Sequence, residues 1–101
     1  MAATDATVTV SAQNQFSDWV KSDGPVAIQI DIGTLAGTIT LQASLDGGTT
    51  ASDVNSWTAS FFGLDGPGAQ GAGITMHYRI GCKTGGYSSG TSGTIRLRTS
   101  N

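Results

Sequence analysis

The sequence predicts an all-β domain, an antiparallel β-sandwich of about seven to eight strands with no long helix. Three observations lead to this prediction. Apolar and polar residues alternate with a period of two along most of the chain, clusters of Gly, Asp, Ser and Pro interrupt the alternation, and no segment has a sustained helical period. The 101 residues are enough for one sandwich core, so we expect a single domain over 1–101.

The alternating runs give the predicted strands in chain order: VTV at 8–10, QFSDWV at 15–20, VAIQIDI at 26–32, TITLQASL at 38–45, WTASF at 57–61, ITMHYRIGCK at 74–83 and IRLR at 95–98. The predicted turns are SDGP, GTLAG, LDGG, the long FGLDGPGAQGAG, and KTGGYSSGTSG. One face of each strand is apolar, so two sheets packed about 10 Å apart would bury these faces together. Both an Ig-like and a jelly-roll-like topology satisfy this pattern.

The composition excludes several classes of protein. Charged residues make up 12% of the chain, about half the usual share, and Thr, Ser, Gly and Gln replace them. The net charge of -2 gives no broad field for nucleic acid or an anionic membrane, and no apolar run is long enough to span a bilayer. The N-terminus lacks the basic start and apolar core of a secretory signal, so we expect synthesis in the cytoplasm.

Candidate catalytic and metal-binding groups are few. His77, the single His, is expected on an outward strand face, and the single Cys82 on an apolar face, where a free Cys behaves as a small hydrophobe. All the carboxylates are Asp, mostly in predicted turns, where Asp bonds its own backbone. Asp46 and Asp53 flank a Gly-rich segment but lack the regular spacing of a calcium loop. We therefore predict no enzyme activity, no cofactor and no metal site, and a turn capped by Asp46.

The basic residues indicate an interaction surface. We predict that residues 74–83 and 94–98 form a hairpin, which would place five side chains on one outward face: His77, Arg79, Lys83, Arg96 and Arg98. Like charges on adjacent strands destabilise a sheet unless a partner neutralises them. Two interpretations remain open. Either Asp31 or other Asp residues on the same sheet neutralise this face, or the face binds an acidic protein surface through its Arg residues.

Three aromatic residues are further interface candidates, namely Trp19, Phe62 and Tyr87. In a regular strand Trp19 is out of phase with Phe16, and the adjacent Phe61 and Phe62 point to opposite sides of the chain. Exposed aromatic residues often anchor interfaces. The alternative for each of the three is a place at the edge of the core.

Several of these segments resemble small virion proteins of tailed bacteriophages. The resemblance covers almost the whole chain and rests on five segments: TVTVSAQNQFSDWVKSDGPVAIQI, GTITLQASLDGGTT, VNSWTASF, YRIGCKTGGYSSGT and TIRLR. One departure is Ala51, because such proteins often carry Trp directly after the DGG-x-T segment. The resemblance implies a non-enzymatic structural component of the virion that is present in many copies.

These features together lead us to expect a capsid decoration or cement protein that binds the outer shell as a symmetric oligomer, with a trimer favoured. Its partners would be the major capsid protein or another virion protein, and further copies of itself, with neither nucleic acid nor membrane involved. We expect it on the capsid surface of the virion, with the tail as the alternative location. The alternative function is a tail-fibre or baseplate adhesin module that binds host glycan or protein.

Overall fold

The computed structural model describes residues 5–22, 26–65 and 76–99. Within these ranges the chain is all-β and contains no helix, and therefore no apolar helix that could cross a membrane. The strands are β1 (Asp5–Val8), β2 (Gln15–Phe16), β3 (Val20–Ser22), β4 (Val26–Ile30), β5 (Ala36–Gly37), β6 (Ile39–Ser44), β7 (Ser52–Trp57), β8 (Phe61–Asp65), β9 (Met76–Cys82), β10 (Tyr87–Ser89) and β11 (Ile95–Thr99).

The strands form antiparallel sheets, as the alternation predicts. Sheet I has the order β1-β11-β4-β8, and sheet II has the order β2-β9-β6-β7 with β3 also paired to β9. A small third sheet joins β5 to β10. The apolar faces of sheets I and II bury a common core whose largest strand residues are Val26, Ile28, Ile95 and Leu97 from sheet I and Ile39, Leu41, Tyr78 and Ile80 from sheet II. The predicted all-β sandwich is confirmed.

Segment 57–61 does not form the single strand that its alternation predicts. β7 ends at Trp57 in sheet II, and β8 begins at Phe61 in sheet I, so residues 58–60 carry the chain between the sheets. Both aromatic rings nevertheless pack against the core, and they stack with their centroids 5.0 Å apart. Alternation therefore marks which residues are buried without marking the sheet to which they belong.

Segment 15–20 is also divided. Ser17 separates β2 from β3 by donating its backbone N–H to the carbonyl of Ile80 (2.8 Å) and accepting the N–H of Ile80 with its own Oγ (3.1 Å). The Ser17 hydroxyl thus takes the place of a ladder carbonyl. This break changes the phase of the strand, so that Phe16 and Trp19 both contact Arg79 although a regular strand would separate them.

The predicted pairing of residues 74–83 with residues 94–98 is wrong. β9 lies in sheet II between β6 and the pair β2 and β3, whereas β11 lies in sheet I between β1 and β4. The connection over 83–94 is long enough to pass from one sheet to the other, and its middle pairs through β10 with β5 instead of closing a hairpin. Arg79 and Lys83 therefore belong to a different side of the molecule from Arg96 and Arg98.

Leu45 departs from the predicted core. Leu45 follows Leu41 and Ala43 in the alternation, but β6 ends at Ser44, and Leu45 is 76% exposed. The turn that begins at Leu45 takes the chain away from sheet II, so the Leu45 side chain no longer points toward the core. Of the predicted long turn FGLDGPGAQGAG, residues 62–65 form part of β8, and residues 66–73 lie outside the described ranges.

Candidate functional site

The outer face of sheet I carries a patch that we call the docking face, made of Ala27, Gln29, Phe62, Arg96 and Arg98. The strand register places Arg96 opposite Gln29, Arg98 opposite Ala27, and Gln29 opposite Phe62. These positions alternate with buried core residues, so their side chains turn away from the core. Together with Ile28 they line a cleft of about 150 Å³.

Phe62 is the most exposed large apolar side chain of the docking face. It is 81% exposed, while the adjacent Phe61 packs against the core. Of the two alternatives left open for Phe62, an exposed side chain and a place at the core edge, the structure shows the exposed one. Complete burial of such a side chain against a partner is worth about 1.5–3 kcal/mol. Phe62 is therefore suited to anchor an interface.

Two guanidinium groups of the docking face share one carboxylate. Arg98 Nη2 lies 3.0 Å from Asp5 Oδ2, and Arg96 Nε lies 3.8 Å from Asp5 Oδ1. Both Arg side chains remain about half exposed, so this pairing adds little to stability. Asp31, the counterion proposed from the sequence, instead accepts the backbone N–H of Gly33 (3.2 Å) beyond the end of β4. Asp5, one of the other Asp residues on the same sheet, takes this role instead, and its single negative charge neutralises only one of the two positive charges.

The outer face of sheet II carries a band of interacting side chains that we call the Arg79 band. The Arg79 guanidinium lies over the rings of Phe16 and Trp19, 4.0 and 4.8 Å from their centroids. Its Nε donates to Gln42 Oε1 (2.9 Å), and Gln42 Nε2 donates to Asp53 Oδ1 (2.9 Å). The second oxygen of Asp53 binds the Lys83 ammonium group. The band thus crosses sheet II from the segment around β2 to β7.

Hydrogen bonds and burial set the ionisation of the Arg79 band. The hydrogen bond from Lys83, with a smaller contribution from Gln42, lowers the pKa of Asp53. Burial lowers the pKa of the Arg79 guanidinium. Gln42 is only 8% exposed although it lies on the outer face, because these neighbours cover it. Gln42 therefore points outward from sheet II and is nevertheless buried beneath the other side chains of the Arg79 band.

The Asp46 turn connects to the same band. Asp46 Oδ1 accepts the hydroxyl of Ser44 (2.6 Å) and the N–H of Thr50 (2.8 Å), and these bonds lower the pKa of Asp46 to about 2. The predicted capped turn is confirmed. A Cβ on Gly48 would lie 2.7 Å from Nε1 of Trp19 and 3.0 Å from Cε2, so this glycine packs directly on the indole. In the described part of the chain, no group of His, Cys or Asp side chains could hold a metal ion.

The remaining candidates are His77, Tyr87 and Cys82. His77 is half-buried on β9, opposite Ser44 of β6 and Lys21 of β3. Tyr87 is half-buried, packs against the core and donates its hydroxyl to the carbonyl of Gly90 (2.9 Å), so it lies at the edge of the core. Cys82 is completely buried, and burial raises the pKa of its thiol.

The fold and these surfaces define an antiparallel β domain with two chemically different outer faces. Comparison with protein-family models, with curated proteins and with solved structures finds no match for this chain. Its function is therefore inferred from its own residues.

Proposed function

We propose that this protein is a non-enzymatic virion structural protein of a tailed bacteriophage, a decoration protein that attaches to the outer capsid shell through the docking face. The observation that carries this proposal is the 81% exposure of Phe62 beside a cleft bordered by Arg96 and Arg98. The proposed location in the virion rests on the resemblance of its turn and strand segments to small tailed-phage virion proteins.

Attachment through the docking face combines an apolar anchor with charged contacts. Phe62 enters an apolar pocket of the major capsid protein or another virion protein, and the two guanidinium groups bind carboxylates at its rim. Asp5 contacts both guanidinium groups and thereby limits their movement before binding. A contact of standard size buries about 1,600 Å², and many copies in a symmetric array, with a trimer favoured, resist rupture through multivalency.

Substitution of the anchor tests this proposal. Purified Phe62→Ala protein is added to virions that lack the protein, and shell occupancy is measured by electron microscopy and by co-sedimentation. Loss of about 1.5–3 kcal/mol predicts attachment that is about 10- to 150-fold weaker. Leu45→Ala is the matched control, because Leu45 is also an exposed apolar residue, at 76%, but lies away from the docking face. Wild-type attachment of Phe62→Ala, or density on the tail instead of the shell, would contradict the proposal.

A tail-fibre or baseplate adhesin module is the second candidate function. It is favoured by a polar cleft of about 240 Å³ on sheet II, whose lining includes Thr38, Thr40, Asp53, Ser56 and Lys83. Hydroxyl and charged groups of this kind hydrogen-bond sugars. A glycan array with the purified protein separates the two functions, because a decoration protein gives no specific signal whereas a glycan-binding adhesin does.

A further inference from the structure

The guanidinium group of Arg79 is held in a fixed position on sheet II. Its central carbon lies over the rings of Phe16 and Trp19, 4.0 and 4.8 Å from their centroids, and Gln42 Oε1 accepts its Nε–H at 2.9 Å. Gln42 is itself held by Asp53, and Asp53 by Lys83. Stacking on aromatic rings leaves the guanidinium edge as the part able to form further hydrogen bonds. The side chain is therefore preorganised before any partner arrives.

Within residues 5–22, 26–65 and 76–99, no hydrogen bond or ion pair uses the amino groups at that edge. Among residues 5–22, 26–65 and 76–99, the ion pairs join Lys83 to Asp53 and the two Arg residues of sheet I to Asp5, and none includes Arg79. The one hydrogen bond of the guanidinium to a described residue comes from Nε. Asp53, the nearest acidic member of the band, is already occupied by Gln42 and Lys83. Arg79 thus carries an ordered positive charge without a carboxylate partner in the described part of the chain.

We propose that Arg79 is a receptor for one carboxylate, supplied by an Asp or Glu side chain of a neighbouring protein. A guanidinium edge matches a carboxylate through two parallel hydrogen bonds, and partial burial beside aromatic rings strengthens them. The ring faces of Phe16 and Trp19 that meet Arg79 are occupied by it, which leaves them closed to the stacking of a sugar ring.

This receptor lies on the opposite sheet from the docking face. A copy that is attached through Phe62 therefore leaves Arg79 accessible to a second protein, and one domain can join two neighbours. The inference does not depend on the proposed function, because it concerns different residues. Loss of the docking-face contact and loss of carboxylate binding are measured separately.

Nuclear magnetic resonance of the isotope-labelled full chain tests the receptor. The probe is glutamate capped at both its amino and α-carboxyl groups, which carries one side-chain carboxylate, and capped glutamine is its neutral match. We expect the glutamate to shift the Arg79 Nε–H and Trp19 indole N–H signals saturably, and the glutamine to leave them unchanged. Arg79→Lys keeps the charge but loses the two parallel bonds, so we expect binding at least about five-fold weaker. Arg98→Ala, on sheet I, binds as the wild type does.

Clear results would overturn the proposal. These are the absence of a saturable shift at Arg79, equal binding of capped glutamate by the Arg79→Lys variant, or an equal response to capped glutamine. Glucuronate bound more tightly than capped glutamate would also overturn it, because the carboxylate would then come from a glycan. The backbone amide spectrum of each variant is compared with that of the wild type, and an unchanged spectrum shows that the variant is folded. The wild-type titration tests carboxylate binding by itself and needs no variant.

Discussion

Replacement of Gly48 by Ala tests the link between the Asp46 turn and the Arg79 band. Gly48 has a φ of 109°, and an added Cβ would lie 2.7 Å from Trp19 Nε1. The backbone strain of a positive φ costs about 1–2 kcal/mol. Displacement of the indole from Arg79 adds about 0.5–1 kcal/mol through the lost cation–π contact. We therefore expect Gly48→Ala to lower the free energy of unfolding by about 1.5–3 kcal/mol.

Gly47→Ala is the matched control within the same turn. Gly47 also has a positive φ, 76°, but an added Cβ would meet nothing within 4 Å. It should show the backbone strain alone. Urea denaturation followed by circular dichroism measures both free energies, and the Trp19 indole resonance reports whether the ring has moved. Equal destabilisation by the two substitutions, with an unmoved indole signal, would refute the packing of Gly48 on Trp19.

Three further predictions concern other parts of the fold. An added Cβ on Gly81 would lie 2.1 Å from the carbonyl oxygen of Gln15, so Gly81→Ala should separate β2 from β9. We expect it to lower the free energy of unfolding by about 2 kcal/mol and to speed hydrogen exchange of the Ser17 amide. Unchanged exchange at Ser17 would contradict this prediction. Folding lowers the pKa of Asp46 from 3.8 to about 2. The ionised Asp46 therefore stabilises the fold fully above pH 3.8, and this stabilisation is lost as the pH falls to about 2. Asp46→Asn should therefore have a lower free energy of unfolding than the wild type at neutral pH, and this difference in free energy should narrow in acid. A difference that stays constant with pH in unfolding curves would disprove the stabilising role of the Asp46 carboxylate. Cys82 is buried with a raised thiol pKa, so a thiol-specific reagent should label it slowly in the native protein and rapidly in urea; fast native labelling would show that the thiol is accessible.

Local alternation was enough to predict most of the buried residues. Ile28, Ile95 and Leu97 of sheet I, and Tyr78 and Ile80 of sheet II, are almost completely buried as expected. The turn capped by Asp46 and the opposite directions of Phe61 and Phe62 were also predictable, because both depend on the conformation of a few adjacent residues.

Strand partners could not be obtained in this way. The basic strands β9 and β11 have similar patterns and a Gly-rich connection, which is why a hairpin was expected, yet they lie in different sheets. The same limitation applies to residues 57–61, where an unbroken alternation spans a change of sheet. Every strand presents the same backbone donors and acceptors at its edges, so alternation indicates a buried face without identifying the neighbour.

The sequence by itself determined the fold class, the alternating core and the local turns, since each follows from side-chain direction within a short segment. The tertiary structure alone decided which charges meet. It separated Arg79 from Arg96 and Arg98, paired the latter two with Asp5, and placed Arg79 over the rings of Phe16 and Trp19. These contacts join residues that are far apart in the chain, and they form only when the register of several strands brings their outward side chains together.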